Sequence, residues 1–528
     1  MSNEQKKTIK TPLIIHPFFI GIFPVIFLFS RNIEQVTVSE IPIPILIILT
    51  FTFLAVFLLS FIFKDKKKAG IIVSFFLILF FSYGNVYNFI YYSGVKLQDS
   101  KYLLILWIII FCLISCFIIK TKKNLSHPTS VLNIIAITLV LISLINILFY
   151  FLKAEAFNLG SNERSSQNNN IYNPPSNNQT NQTNPSNRPD IYYIILDGYA
   201  RSDIQKEIFS NDNSELINYL KQKKFYIADK SRSNYCNTVL SLTSSLNFTY
   251  IEDIINKKDN KFNNYRLVKN MLKNNKVCDF LKNYGYKTVA FYSGFSPTVI
   301  NTEISICPMP ISEFQWAIIT TTPLRDTGYK NLLSLESLHR YRILYTFEHM
   351  SDTTKITSPH FVFVHIVSPH PPFIFREKGE KVDKPAMLFF DGKEYMDYTH
   401  TTLEEYKENY KSQIIFITGK VIKTIDDILT KSPKPPIIII QSDHGSGAMF
   451  DHVDLKNTYL KERFSIFNAY YFPDNNYKGL YSNITPVNTF RIIFNTYFDA
   501  NYKLLKDKNY YSPGSDLLNF TEVTDKIE

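Results

Sequence analysis

The chain predicts two unlike parts: an N-terminal helical transmembrane bundle and a C-terminal α/β domain with a mainly parallel sheet covered by helices. Three observations carry this. Residues 12–152 are mostly Ile, Leu, Phe and Val, in stretches long enough to cross a bilayer. Residues 190–528 hold near-continuous apolar runs alternating with segments of helical periodicity, as in a parallel sheet buried on both faces. Two of those runs, IYYIIL and IIIIQS, lead directly into Asp197 and Asp443, so that two strands deliver carboxylates at their C-terminal ends. The bulk values, 45% hydrophobic and mean hydropathy −0.06, average over these two parts and describe neither.

Five candidate spans lie at about 12–30, 41–63, 70–92, 102–119 and 129–152. The first contains His16 and two Pro, which membrane helices tolerate better than soluble ones. Four further spans follow it with no small-residue cleavage site between, which argues against a signal peptide. Lys6, Lys7 and Lys10 precede it. The second loop carries Lys64, Lys66, Lys67 and Lys68, and the fourth Lys120, Lys122 and Lys123. The loops at 31–40 and 93–101 are poorer in basic residues and also hold acids. The positive-inside rule therefore puts the N-terminus in the cytoplasm, and an odd number of spans puts everything after residue 152 outside. The net charge of +11 comes from dispersed Lys and from these membrane-edge clusters, which excludes a nucleic-acid partner and favours topology signals and anionic lipid.

Domain limits follow: a transmembrane domain at 1–152, a linker at 153–189 and an extracytoplasmic domain at 190–528. The linker is an Asn/Ser/Pro/Gln tract too poor in apolar side chains to offset the entropy of ordering, so a flexible tether is expected. Cys112 and Cys116 sit in an apolar span, and Cys236, Cys278 and Cys307 lack metal-ligand spacing. A Cys278–Cys307 disulfide is one option for an exported domain, although sequence separation says nothing of geometry.

In the outer domain, DIYYIIL, KTVAFYSG (287–294), HFVFVHIVS (360–368) and PPIIIIQS read as strands. LVKNMLKNNKVCDFLKNYGYKT reads as a helix stopped by its Gly. LEEYKENYKSQIIFITGKVIKTIDDIL reads as another, with Tyr406, Tyr410, Ile414, Ile417, Val421, Ile425 and Ile428 on one face.

The chemistry concentrates at few positions. Asp197-Gly198 alone is as easily a turn as a site, because Gly supplies a positive φ. Asp443-His444-Gly445 adds a second carboxylate and an imidazole. Together they make a divalent metal site the better explanation. The segment from Thr238 through Ser241, Thr243, Ser244 and Ser245 reads as a helix start. Its hydroxyls are either caps alone or, beside a cation, a nucleophile facing a phosphate at the helix N-terminus. His370, between two Pro in SPHPPF, is held in a rigid extended loop and suits proton donation to a leaving group. His365, within the preceding apolar run, reads as a core histidine. His452, eight residues beyond His444, is a candidate substrate or second-metal contact.

The strings IYYIILDGY, NYCNTVLSLTSSLN, HIVSPHPPF and SDHGSG together resemble the alkaline phosphatase superfamily, in its membrane-anchored sulfatase-like branch of lipoteichoic acid synthases and phosphoethanolamine transferases. The resemblance covers the whole plan of spans, linker and outer domain. It implies that Asp197, Asp443 and His444 are metal ligands, that Thr238 is both ligand and nucleophile, and that His370 contacts the transferred group. Asp197 departs from the Glu common in the lipoteichoic acid synthase type. Cys236 is followed by Asn-Thr-Val-Leu, not by the Pro-Ser-Arg context that a sulfatase needs for its formylglycine, which argues against arylsulfatase activity. The implied cofactor is one divalent ion, Mn or Zn, with Ca or Mg as alternatives. The implied partners are a phospholipid donor and an envelope glycan or glycolipid acceptor. The implied location is the bacterial inner (cytoplasmic) membrane, multi-pass. Hydrolysis by a phosphodiesterase or phosphatase and a non-catalytic binding role are the competing functions.

Overall fold

A computed structural model describes residues 12–33, 36, 38–92, 100–165, 188–255, 261–307, 312–326, 335–357, 359–382 and 390–527. Two compact units form: residues 1–171 with 311–334, and residues 172–310 with 335–528. Most of the expected linker, residues 166–187, lies outside the described residues, as do most of the loops at 34–37 and 93–99.

The first unit is a helical bundle: α1 (His16–Arg31), α2 (Pro42–Phe63), α3 (Lys66–Tyr92), α4 (Ser100–Lys120) and α5 (Ser126–Ser165). Among the described residues, four helices are long and apolar enough to cross a membrane, and α1 is a shorter apolar helix of 16 residues with Pro24 inside it. Polar side chains set its register. The Asn133 carboxamide of α5 accepts from the amides of Ile15 and His16 at 3.3 and 3.0 Å and donates to the Leu13 carbonyl at 2.7 Å. His16 Nδ1 meets Ser74 Oγ of α3 at 2.5 Å. Lys67 reaches Ser126, and Lys68 reaches the Ile119 carbonyl. The N-termini of α1, α3 and α5 and the C-terminus of α4 thus share the lysine-rich end. Ile20, Val25 and Phe29 of α1 pack on Val73, Leu77 and Phe81 of α3.

Among its described residues the second unit is built on a seven-stranded sheet, beside a two-stranded one of Tyr510–Tyr511 and Thr521–Glu522. The strands of the larger sheet are β1 (Ile191–Leu196), β2 (Tyr226–Ile227), β3 (Lys287–Phe291), β4 (Ile304–Ile306), β5 (His360–Ile366), β6 (Ile437–Gln441) and β7 (Asn468–Tyr471). The order is β2-β7-β6-β1-β5-β3-β4, parallel from β6 to β4, with β7 antiparallel to β6 and β2 to β7. The four expected strands form its centre. Each is buried on both faces: Tyr192, Ile194 and Leu196 enter one core, and Ile191, Tyr193 and Ile195 the other. The long helix Leu403–Lys431 covers the first face, its start fixed by a Thr402/Glu405 capping box. The helix expected over 267–288 is in fact two, Lys261–Lys273 and Lys276–Asn283. Asn275 breaks it by accepting from the Cys278 amide at 3.0 Å as a new N-cap. No disulfide joins Cys278, which is buried, to Cys307, which is exposed.

Candidate metal centre and nucleophile

The C-terminal ends of β1, β5 and β6 open on one side of the sheet, and the chemistry gathers there. Asp197 follows β1 and its amide donates to the Ile366 carbonyl of β5 at 2.9 Å, which continues the parallel ladder by one residue. Gly198 then turns the chain at φ +68°, a conformation that a side chain disfavours, and its amide donates to Asp443 Oδ1 at 3.1 Å. Gly445 is required for a different reason: a Cβ there would lie 2.0 Å from the Glu462 carbonyl. The DHG string is therefore packed flat against the segment 462–465, and the Gly445 amide donates to the Arg463 carbonyl at 2.7 Å.

Asp197, Asp443 and His444 converge as the sequence anticipates. His444 Nε2 lies 3.4 Å from Asp197 Oδ1 and 3.3 Å from Asp443 Oδ2. Thr238 is the first residue of the helix Thr238–Asn247, which Asn237 caps by accepting from the Val239 amide. Its Oγ1 sits 3.2 Å from His444 Nε2. Of the hydroxyls left open by the sequence, Ser241 is committed to the Tyr235 carbonyl, Thr243 to the Val239 carbonyl and Ser244 to the Thr249 carbonyl. Thr238 is the one that faces the carboxylates' partner.

His365 is buried, as expected of a core histidine, with both ring nitrogens satisfied, and it also adjoins the site: Nε2 lies 3.2 Å from Asp197 Oδ2, and Nδ1 pairs with Thr298 Oγ1 at 3.0 Å. Its donor atom and those of Asp197 and Asp443 lie within 4.8 Å of one another. Strand parity explains it. Phe361, Phe363 and His365 share the face of β5 that also packs the Thr238 helix, and the last of them reaches the strand end.

The donor set fits a divalent cation. Asp197 Oδ1 and Asp443 Oδ2 are buried and make no hydrogen bond. Two orphaned carboxylate oxygens so close would be costly unless a cation lies between them. Two carboxylates, one or two imidazoles and a hydroxyl match the hard-to-intermediate ligands of Zn or Mn.

His370 and His452 flank this centre. The His370 amide donates to the Asp197 carbonyl at 3.0 Å, which ties its loop to the Asp197-Gly198 turn. Burial alone would lower its imidazole, but the carboxylates of Asp197 and Asp391 outweigh burial and raise it. The same loop is held from above by His339, whose Nε2 meets the Val367 carbonyl at 3.1 Å, and by Gln413, which donates to the Pro369 and His370 carbonyls. His452 packs edge-on against Phe450 with ring centroids 4.5 Å apart, and its buried Nε2 has no partner. Burial holds it neutral, at about 4.

Asp391 and Arg463 were not anticipated from the sequence. Asp391 lies 3.8 Å from His370 Nε2, accepts from Tyr406 at 2.7 Å and forms a buried ion pair with Arg463. Arg463 also donates to the Cys236 carbonyl, two residues before Thr238.

No family model matches this chain, and no curated protein does. Solved structures do. The C-terminal periplasmic domain of EcEptC from Escherichia coli aligns at 12% identity over 64% of this chain and 94% of that one, with TM-score 0.41. Lipooligosaccharide phosphoethanolamine transferase A from Neisseria meningitidis aligns at 12% identity over 91% of this chain and 95% of that one, with TM-score 0.38. The lipoteichoic acid synthase LtaP from Listeria monocytogenes aligns at 11% identity over 62% and 78%, with TM-score 0.38. Likenesses at this level assign no side chain a role here.

Proposed function

We propose that the chain is a membrane-anchored, metal-dependent phosphotransferase that moves a phospho-head group from a phospholipid to an envelope glycan or glycolipid through a phospho-Thr238 intermediate. One observation carries it: a helix-N-terminal hydroxyl, Thr238 Oγ1, stands 3.2 Å from His444 Nε2, beside two carboxylates with bare inward oxygens. Asp197, Asp443 and His444, with Thr238 and His365, would hold one ion, Zn or Mn. Such an ion lowers the pKa of a coordinated hydroxyl and offsets charge on phosphate oxygens.

This chain's own residues then do the following. Thr238, its proton released to water, attacks phosphorus in line with the diacylglycerol oxygen. The P–O bond to diacylglycerol breaks, and protonated His370 gives its proton to that oxygen. The open N-terminus of the Thr238 helix favours the negative charge on the transferred group. In the second half, neutral His370 takes the proton of the acceptor hydroxyl, whose oxygen attacks phosphorus while the Thr238 oxygen leaves. His452, kept neutral by burial, offers Nε2 as a contact to the head group or acceptor.

The lysine-rich end of the bundle would face the cytoplasm, as the positive-inside rule requires, with the catalytic domain outside. Five spans exceed what an anchor needs, which suits a substrate held in the bilayer. Incubation of the full-length protein with labelled phosphatidylethanolamine and phosphatidylglycerol in Mn²⁺ or Zn²⁺ tests the reading. The expected result is diacylglycerol release and a head group trapped on Thr238, both lost in Thr238→Ala. Cleavage of soluble phosphate or sulfate monoesters with no diacylglycerol would replace transfer by hydrolysis.

A further inference from the structure

A stretch of the later half of the sequence belongs to the membrane unit. Residues 311–334 cluster with the N-terminal bundle, not with the sheet domain whose sequence they interrupt. The described part is a short helix, Glu313–Thr320, opened by a Ser312/Gln315 capping box, and a turn at Pro323–Asp326. Phe314 and Ile318 are buried in the same cluster as Phe29 and Phe81, with the Phe29 and Phe314 rings edge-to-face at 6.3 Å. The Gly84 amide of α3 donates to the Thr321 carbonyl at 2.8 Å. A Cβ on Gly84 would lie 2.0 Å from the Thr320 carbonyl, so this close approach needs glycine, as close backbone contacts between membrane helices do. Arg325 donates to Asn88 at 2.9 Å and lies over the Tyr87 ring at 4.3 Å. All of these partners are at the C-terminal ends of α1 and α3, opposite the lysine-rich end.

We infer that residues 312–326 are a second membrane attachment of the catalytic half of the chain, with α3 around Gly84 as its receptor. The inference rests on the orientation proposed above and not on the chemistry. Chain length gives it physical content. The 22 residues 166–187 could extend about 75 Å, whereas the five steps from Cys307 to Ser312 extend at most about 18 Å. The attachment, and not the Asn-rich tract, therefore limits how far the sheet domain strays from the bundle. An enzyme acting on a bilayer-held substrate needs such a limit, because a longer leash lowers the effective concentration of site at the lipid surface.

The experiment uses the full chain with a specific protease sequence placed within residues 172–180, reconstituted in phosphatidylethanolamine/phosphatidylglycerol vesicles. After cleavage and a high-salt wash, the fragment carrying residues 190–528 is expected to pellet with the vesicles. Phe314→Ser/Ile318→Ser is expected to release nearly all of it. Gly84→Leu, which leaves the catalytic sequence untouched, is expected to do the same, so that release cannot be ascribed to a misfolded outer domain. Release of the unsubstituted fragment on cleavage overturns the inference, and so does retention in Gly84→Leu. Neither readout depends on activity, so a failed phosphotransfer assay and a failed attachment are distinguishable.

Discussion

The Arg463 guanidinium holds the Cys236 carbonyl with two nitrogens, Nε at 3.0 Å and Nη2 at 2.8 Å. Its remaining arm pairs with Asp391, and its face lies 4.0 Å from the Phe450 ring centroid. One buried cation thus ties the segment leading to Thr238 to the carboxylate beside His370. The planar fork of Arg suits this three-way contact, whereas a Lys ammonium is a single point.

Arg463→Met should destabilise the protein by about 3–5 kcal/mol, because it leaves Asp391 charged, buried and without its cation. Arg463→Lys should recover part of the stability but not the two-pronged grip on Cys236. The double substitution Arg463→Met/Asp391→Asn should cost less than the sum of the singles, as residues in one ion pair do. Thermal unfolding in detergent of the parent, Arg463→Met, Arg463→Lys, Asp391→Asn and the double substitution checks this; strictly additive losses would contradict the coupling.

A metal-loading prediction follows from the orphaned oxygens of Asp197 and Asp443. A bound ion should stabilise the folded state by about 2.7 kcal/mol at a hundred times its dissociation constant, since the unfolded chain has no site. Zn²⁺ or Mn²⁺ should therefore raise the melting temperature of chelator-treated protein, and Mg²⁺ less so. Asp197→Ala and Asp443→Ala should abolish the rise. A rise of equal size in either variant would place the metal elsewhere.

His365→Ala tests the histidine that the apolar run concealed. Whether it ligates the ion or steadies Asp197, its loss should weaken metal affinity about 10–100-fold, the usual range for groups that orient ligands. Competition with a chromophoric chelator measures this. Unchanged affinity would return His365 to the core.

What the sequence made legible depended on how local each signal was. Asp197 and Asp443-His444 stood out because each ends a run of buried strand residues, and such runs are readable without partners. His365 sat inside such a run, and its face is set by which side of β5 receives the Thr238 helix, a matter of tertiary packing. Asp391 and Arg463 carried no local signal. The contacts that define Arg463 lie 227, 72 and 18 residues away along the chain. The apolar stretch FQWAII is too short to read as a span, so its place in the membrane unit shows only through Phe29, Phe81 and Gly84.

The short helix α1 should still cross the bilayer. Its N-terminus meets the start of α5 through Asn133, and Phe29, near its C-terminus, meets Phe314 at the other end of the bundle. Sixteen residues give about 24 Å of rise, a modest mismatch that Leu13 to Ile15 and local thinning can absorb. Reporter fusions after residue 65 or 123 should be active only as cytoplasmic reporters, and fusions at residue 160 only as exported ones. An N-terminal tag reached only from outside, with residue 65 still cytoplasmic, would reduce the spans to four.

Glu462 carries a pH dependence separable from catalysis. Its side chain is fully buried beneath the DHG segment and accepts from Ser446 Oγ at 2.9 Å and from the amides of Ala448 and Met449 at 2.7 and 2.8 Å. Burial pushes its carboxyl up to about 7, against those three donors, from its ordinary value of 4.5. Between about pH 4.5 and 7 the folded state then holds a proton that the unfolded chain releases. Stability from this group is therefore fully present below about 4.5 and is lost as pH rises through 7, by about 3 kcal/mol in total. Glu462→Gln keeps the shape and one acceptor oxygen but cannot titrate. The difference in melting temperature between Glu462→Gln and the parent should thus move in favour of the variant as pH goes from 5 to 8. The Ala448 and Met449 amides donate to different oxygens of Glu462, so the single oxygen of Gln can accept from only one of them, and a constant offset between the two proteins is expected at every pH. Only the slope reports the proton, and a difference that stays flat from pH 5 to 8 would mean that the three donors keep Glu462 ionised throughout.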